Sequence, residues 1–304
     1  MADTESGYRF TPGCWGVTDA MKEDFRRDGY IIVRNLLSDE ELAKLRKFLE
    51  DKKFLEHHYN RDDGEGRKAT LVMWNHPGDD LTGLLARSER MVNTAEALLG
   101  GEVYHYHTKL TLKHAKTGGA WSWHQDYGYW YENGCLFPDM LTVFIAMDKA
   151  DRQNGCLKVL KGSHQMGRVQ HRAYEGLAKA DPERVEAAEQ MFPLTHVEMN
   201  SGDAIFFHCN VLHRSDKNDS DRNRYAFLCA YNRASNNPVI PHHHPQYTPL
   251  TKVADEAFMA YDTSQDVDWD SKWMAHLVTN EENTSLKRLK EKQEKNEAYS
   301  FREA

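Results

Sequence analysis

Through the middle of this chain, apolar runs of strand length alternate with turn signals. Six segments between residues 103 and 232 carry the pattern: VYHYHTKLTL, MLTVFIAMD, CLKVLKG, THVEM, DAIFFHC and RYAFLCAYN. They are rich in aromatic and β-branched residues and are separated by Gly, Asn, Asp and Ser, which predicts a β-sandwich or barrel. Between the third and fourth runs lies HRAYEGLAKADPERVEAAEQMF, residues 171–192. Its Ala, Glu and Arg content predicts an inserted helical excursion. Upstream, DGYIIVRNLLSDEELAKLRKFLE gives a short strand, YIIV, and then a helix capped by Ser38, with Leu42, Leu45 and Leu49 at helical spacing. The expected fold class is mainly β with flanking helices.

No internal repeat and no Pro/Gly-rich linker divides the chain, so one domain over residues 1–275 is expected. Beyond residue 232 the segment NNPVIPHHHPQYTPL reads as a Pro-punctuated loop. Its three consecutive histidines, His242 to His244, cannot all reach one ion from such a loop, which favours a pocket-rim role. The last stretch, residues 276–304, mixes charges of both signs with almost no apolar stripe. A solvated helix or tail is the expectation there.

Charge narrows the partners. The 304 residues carry a net charge of −8, which argues against a nucleic-acid or anionic-membrane surface and for a small-molecule substrate. No apolar run approaches the length of a membrane span, and the first residues are polar and acidic. The five cysteines are scattered without a CxxC pair, as expected of reduced thiols in a cytoplasmic protein.

Candidate chemistry concentrates in WSWHQDYGYWY, residues 121–131, where six of eleven positions are Trp or Tyr. On a strand, His124 and Asp126 project from one face, as two ligands of one metal would. A third ligand must come from elsewhere in the sheet, and His213, just after DAIFFHCNVL, is the candidate. Two His and one carboxylate leave three adjacent octahedral positions open, the arrangement of non-haem Fe(II) oxygenases. Ser215 follows two residues after His213 and Arg224 eleven after it. An Arg beside the metal offers a fork of donors for the far carboxylate of 2-oxoglutarate. Arg222, of the same parity, competes with Arg224 for that role. The rings either pack a core or wall a substrate site; on a continued strand Trp130 would face the metal side, and Tyr127, Tyr129 and Tyr131 would face away.

Five segments in consistent order, DGYIIVRNLLSDEEL, WHQD, NGCLKVLKGSH, GDAIFFHCNVLHRS and the Arg eleven residues on, resemble the phytanoyl-CoA dioxygenase family, of which ectoine hydroxylase is a close relative. The resemblance covers roughly residues 20–235. It implies a cupin-like jelly roll (double-stranded β-helix), Fe(II) on His124, Asp126 and His213, and O2 and 2-oxoglutarate as cosubstrates. It further implies that Arg224 and Ser215 hold 2-oxoglutarate, with Lys113 as a further contact; Lys109 shares its strand and parity. The turn Gly162, Ser163, His164 is structural in this comparison.

Trp130 falls where ectoine hydroxylases carry a pocket Trp, and Trp121 where they carry Phe. Rings at a metal site can hold a cationic or zwitterionic group, at about 0.5 to 2 kcal/mol each. Where ectoine hydroxylases use Gln, Asn and Phe, this chain carries His107, Ala226 and Leu228, so ectoine is not the expected substrate. The reaction implied is hydroxylation of an unactivated C–H of a small polar metabolite. Two alternatives stand beside it: an acyl-CoA hydroxylase like the family's namesake, and a non-catalytic jelly-roll metal-binding module, which would need no carboxylate anchor.

Overall fold

Two β-sheets face one another in the computed structural model, which describes residues 7–174, 177–272 and 284–300. The larger has eight strands in the spatial order Tyr8–Arg9, Tyr30–Arg34, Ala204–His208, Met140–Ala146, Arg224–Arg233, Val103–Lys113, Lys68–Trp74 and Tyr59–Asp62. Its neighbours are antiparallel except for the edge pair Tyr8–Arg9 and Tyr30–Arg34. The smaller sheet has four strands in the order Leu194–Val197, Leu157–Leu160, His213–Ser215 and Trp121–His124.

Strand alternation explains why the apolar runs stack as a jelly roll with helices outside. Phe144, Ala146, Ile205, Phe207, Ala226 and Leu228 point toward the smaller sheet and meet Leu157, Val159 and Val197. The intervening Val143, Ile145, Phe206, Phe227 and Cys229 turn the other way and join Met21, Phe25, Leu42, Leu45, Met91 and Val92 of the helices. Central strands are therefore covered on both faces. This is why Met140–Ala146 is buried at every position and reads as an unbroken apolar run. Each large side chain so buried contributes about 1.5 to 3 kcal/mol.

The helix predicted after YIIV spans Asp39–Asp51 and starts as its sequence dictates. Ser38 Oγ accepts the Glu41 N–H, and the Glu41 carboxylate accepts the Ser38 N–H at 2.9 Å. The same carboxylate receives both arms of Arg90 at 2.7 and 3.0 Å, tying this helix to Glu89–Leu99.

Two expectations are corrected. The excursion at 171–192 is helical only in its second half: His171–Tyr174 and Leu177–Ala180 form an antiparallel hairpin, and the helix runs Pro182–Met191. Tertiary partners override the local propensity, since the Tyr129 hydroxyl accepts the Ala178 N–H at 2.7 Å and the Gln293 side chain accepts the Ala173 N–H. Asp181 caps the helix and Pro182 opens it, a boundary signal the composition masked. The second correction concerns the charged tail, of which residues 276–283 and 301–304 lie outside the described residues. The helix Thr284–Ser300 buries Leu286 and Leu289, and Lys292 clasps the buried Glu132 at 2.6 and 2.7 Å. Among the described residues, no helix is long and apolar enough to cross a membrane.

Candidate active site

His124 ends the strand Trp121–His124, and His213 opens the strand beside it, so the two stand directly opposite in register with ring centroids 4.1 Å apart. Each ring donates Nδ1–H to the carbonyl two residues earlier, His124 to Ser122 at 2.8 Å and His213 to Val211 at 2.9 Å. A carbonyl can only accept, which fixes the tautomer and leaves both Nε2 lone pairs aimed into the sandwich. Both Nε2 atoms lie 3.9 Å from Asp126 Oδ1. The other oxygen, Oδ2, accepts from the Thr142 hydroxyl at 2.6 Å. Among the described residues this is the one group of three or more ligand-type side chains with their atoms within 4.8 Å of one another.

Asp126 does not reach this point along a strand, as the i, i+2 argument expected. The chain leaves the sheet after His124, and Asp126 has helical torsions, φ −57° and ψ −36°, at the head of the turn Tyr127–Trp130. Gln125, fully buried between the ligands, holds the bend. Its side-chain amide donates to Gly167 and Asn210 carbonyls and accepts from Val169, each at 2.8 Å. Its backbone N–H donates to His171 Nε2 at 2.9 Å. A Cβ on Gly128 would fall 2.4 Å from the His171 ring, so only glycine lets the turn pass there. Ser163 acts similarly for the partner strand, its hydroxyl accepting the Leu212 N–H at 2.9 Å just before His213. Sequence reasoning missed Gln125 and His171, because their roles depend on contacts made across the fold.

Electrostatics suit a cation. Burial drives the protonation of His124 well below the ordinary histidine range and lowers that of His213, so both are neutral ligands. Burial alone would raise the Asp126 carboxyl, but the charge of Lys109 and the Thr142 hydrogen bond outweigh it and keep it ionised. Two imidazole nitrogens and one carboxylate oxygen, open on one side, fit Fe(II) with three positions to spare.

The cavity beside this triad has two lobes that meet at Lys109, Trp121, His124 and Asp126. One is lined by Thr111, Phe144, Leu157, Phe207, His213, Ser215, Arg224 and Leu228. Arg224 opens the central strand Arg224–Arg233 in register with Lys113 and is 2% exposed. Its guanidinium lies over the Phe144 ring and reaches only the Thr111 hydroxyl, at 3.4 Å; Nε has no partner. Burial lowers its pKa to about 10, still charged at neutral pH. Among the described residues no carboxylate pairs with it, so a buried cation there calls for an anion. Arg222, by contrast, is exposed and pairs with Asp151 at 2.8 Å. Lys113 stands behind Ser215, donating to its Oγ at 3.0 Å and to the Asp216 carbonyl. It does not line either lobe, whereas Lys109 lines both.

The second lobe is walled by Tyr59, Arg61, Leu71, Met73, His107, Tyr129, Trp130, His243, His244 and, from the C-terminal helix, Ser285 and Leu286. Trp121 belongs to both lobes, and Ala226 is buried in the core behind them. Trp130 also packs edge-on against Tyr106 and His107, with centroids 5.5 and 5.8 Å away. Core and pocket roles thus meet in one ring. The expectation that Tyr129 faces away is corrected. Residues 127–130 form a helical turn, where strand parity does not apply, and the Tyr129 ring stands perpendicular to His124 at 6.2 Å. The turn signal Asn133–Gly134, with Gly134 at φ +95°, was the available hint. Tyr127 and Tyr131 pack on each other at 5.8 Å, outside the cavity wall.

A jelly roll with two histidines and a carboxylate converging on one side of its sandwich defines a non-haem metal oxygenase scaffold. Residues 25–226 match the family model described as phytanoyl-CoA dioxygenase, and the chain belongs to that family. It is 31% identical over 243 residues to the L-proline trans-4-hydroxylase of Streptomyces griseoviridis, a match covering 72% of this chain and 88% of that one. An ectoine dioxygenase of Nocardia farcinica is 28% identical over 258 residues, covering 79% and 87% respectively. Among solved structures, EctD from S. alaskensis with 2-oxoglutarate and 5-hydroxyectoine superposes with a TM-score of 0.68 at 21% identity, over 81% of this chain and 90% of that one. That likeness establishes the jelly-roll fold.

Proposed function

We propose that this protein is an Fe(II)- and 2-oxoglutarate-dependent dioxygenase that hydroxylates an unactivated C–H of a small polar metabolite. The observation that carries the reading is one cavity with the neutral His124 and His213 and the ionised Asp126 at its neck and the uncompensated Arg224 cation at one end. When bound, iron and 2-oxoglutarate supply the oxidising chemistry, with decarboxylation to succinate coupled to delivery of one oxygen atom to the substrate. His124, Asp126 and His213 would hold the metal on one face. Arg224 would take the distal carboxylate by a two-armed contact, with the Ser215 hydroxyl donating beside it while it accepts from Lys113. The protein's work is positioning and exclusion of water. Phe144, Leu157, Phe207 and Leu228 keep the anchor dry, and the C-terminal helix covers the outer lobe with Leu286.

Among the apolar and aromatic residues of the outer lobe, His107, Lys109, His243 and His244 offer polar contacts that a small polar metabolite would use and an acyl chain would leave unmet. The relatives named for proline and ectoine hydroxylation point the same way. The test is succinate formation from 2-oxoglutarate by the full chain with Fe(II) and oxygen, alone and with a panel of small amino acids and amines. Iron-dependent succinate, raised by a panel member that gains one oxygen, is expected. No iron-dependent turnover would favour the non-catalytic metal-binding module.

Trp130, at the boundary of core and outer lobe, gives a sharper readout. Trp130→Ala is expected to lower stability by about 3 to 5 kcal/mol and to sever succinate formation from product hydroxylation. Trp130→Phe keeps more of the packing and should lose coupling with a smaller fall in melting temperature. Full coupling in the folded fraction of both variants would assign the ring to the core alone.

A further inference from the structure

We infer that the primary substrate carries a carboxylate and that Lys109 receives it. The inference rests on the hydroxylase reading and adds the class of substrate to it. On the strand Val103–Lys113, residues 107, 109, 111 and 113 share the face toward the smaller sheet. The two deeper ones are committed to the cosubstrate end, Thr111 to Arg224 and Lys113 to Ser215. His107 belongs to the outer lobe alone. Lys109, between them, is the residue of this face that lines both lobes.

Its charge helps to keep Asp126 ionised, but its ammonium holds no direct partner. Among the described residues Lys109 makes no hydrogen bond or ion pair. The one acid on either wall is Asp126, whose Oδ2 is taken by Thr142 and whose Oδ1 faces the two histidine nitrogens. The cosubstrate's distal carboxylate has Arg224 and Ser215, and its 2-oxo acid end has the metal. The nearest opposite charge, Asp126, is committed to the triad, so the partly buried Lys109 keeps no direct partner of its own, and an anionic group on the substrate would supply one. The neighbouring histidines do not compete for it. Burial lowers His107 to about 3 and His243 to about 4, so both are neutral. With Lys109 fixing a carboxylate, the faces of Trp130 and Tyr129 remain for the rest of the molecule, including an amino group by cation–π attraction. A small amino or imino acid has this pattern of charges.

The test uses the full chain with Fe(II) and matched pairs: L-proline and L-prolinamide, and each proteinogenic amino acid with its amide. Succinate formation above the substrate-free rate is measured, together with 2-oxoglutarate affinity from the visible absorption of its Fe(II) chelate. At least one acid, and not its amide, should raise turnover. Lys109→Met and Lys109→Gln should raise the KM of that acid by about tenfold or more, with 2-oxoglutarate affinity within about twofold of wild type, and Lys109→Arg should recover part of the loss. Acid and amide acting alike, a panel in which no acid stimulates, or a Lys109→Met protein that folds but loses 2-oxoglutarate would each overturn the inference; the last would make Lys109 a cosubstrate contact. Absence of both chelate and substrate-free turnover in the wild type would fell the hydroxylase reading itself, and this inference with it.

Discussion

Replacing His124, Asp126 or His213 by alanine, one at a time, is expected to abolish turnover and strip most of the iron while the sheets stay folded. Each side chain supplies one of three donor atoms within 4.8 Å of one another, and two donors hold a divalent ion far less tightly than three. The fold does not depend on them, because the core between the sheets is built from Phe144, Ile205, Phe207, Val159 and their neighbours. Asp126→Ala leaves Thr142 without its acceptor and removes the charge opposed to Lys109, a local change. The check is metal content by elemental analysis beside succinate formation and circular dichroism. A variant that keeps both iron and activity near wild type would exclude that residue from the ligand set.

The second large effect belongs to Arg224. Arg224→Ala should raise the 2-oxoglutarate concentration required by about 10- to 150-fold, corresponding to about 1.5 to 3 kcal/mol for a lost charge-assisted contact. Iron content should change little, since the guanidinium is not among the three donors. Arg222→Ala removes only an exposed pair with Asp151, of a kind that contributes about 0 to 1 kcal/mol, and should leave 2-oxoglutarate use unaltered. Steady-state kinetics over a range of 2-oxoglutarate separates the two, and the reverse ranking would move the anchor to Arg222.

Much of the architecture was legible because strand and helix periodicities report burial directly. The doubly covered strand Met140–Ala146 and the Ser38-capped helix follow from local sequence alone. The spacing of His213, Ser215 and Arg224 singled out residues that the fold gathers along one cavity, and burial separates Arg224 from Arg222. What escaped was set by distant partners. Asp126 turns out of the strand because Gln125 is gripped by Gly167, Val169, Asn210 and His171, segments far along the chain. The hairpin at His171–Ala180 is held by Tyr129 and Gln293, and the charged final helix is docked by Glu132, none of which its own composition reveals. Lys109 and Lys113 share parity and type; only the third dimension sends one to the cavity and the other behind Ser215.

In the proposed site, one cavity would hold a metal on His124, Asp126 and His213 and a 2-oxo acid between it and Arg224. Anaerobic titration of the iron-loaded protein with 2-oxoglutarate addresses it most directly. A saturable visible charge-transfer band in the wild type is predicted, absent in His213→Ala and shifted to much higher 2-oxoglutarate in Arg224→Ala. A wild-type protein that binds Fe(II) yet gives no band, or a band that saturates identically in Arg224→Ala, would contradict it.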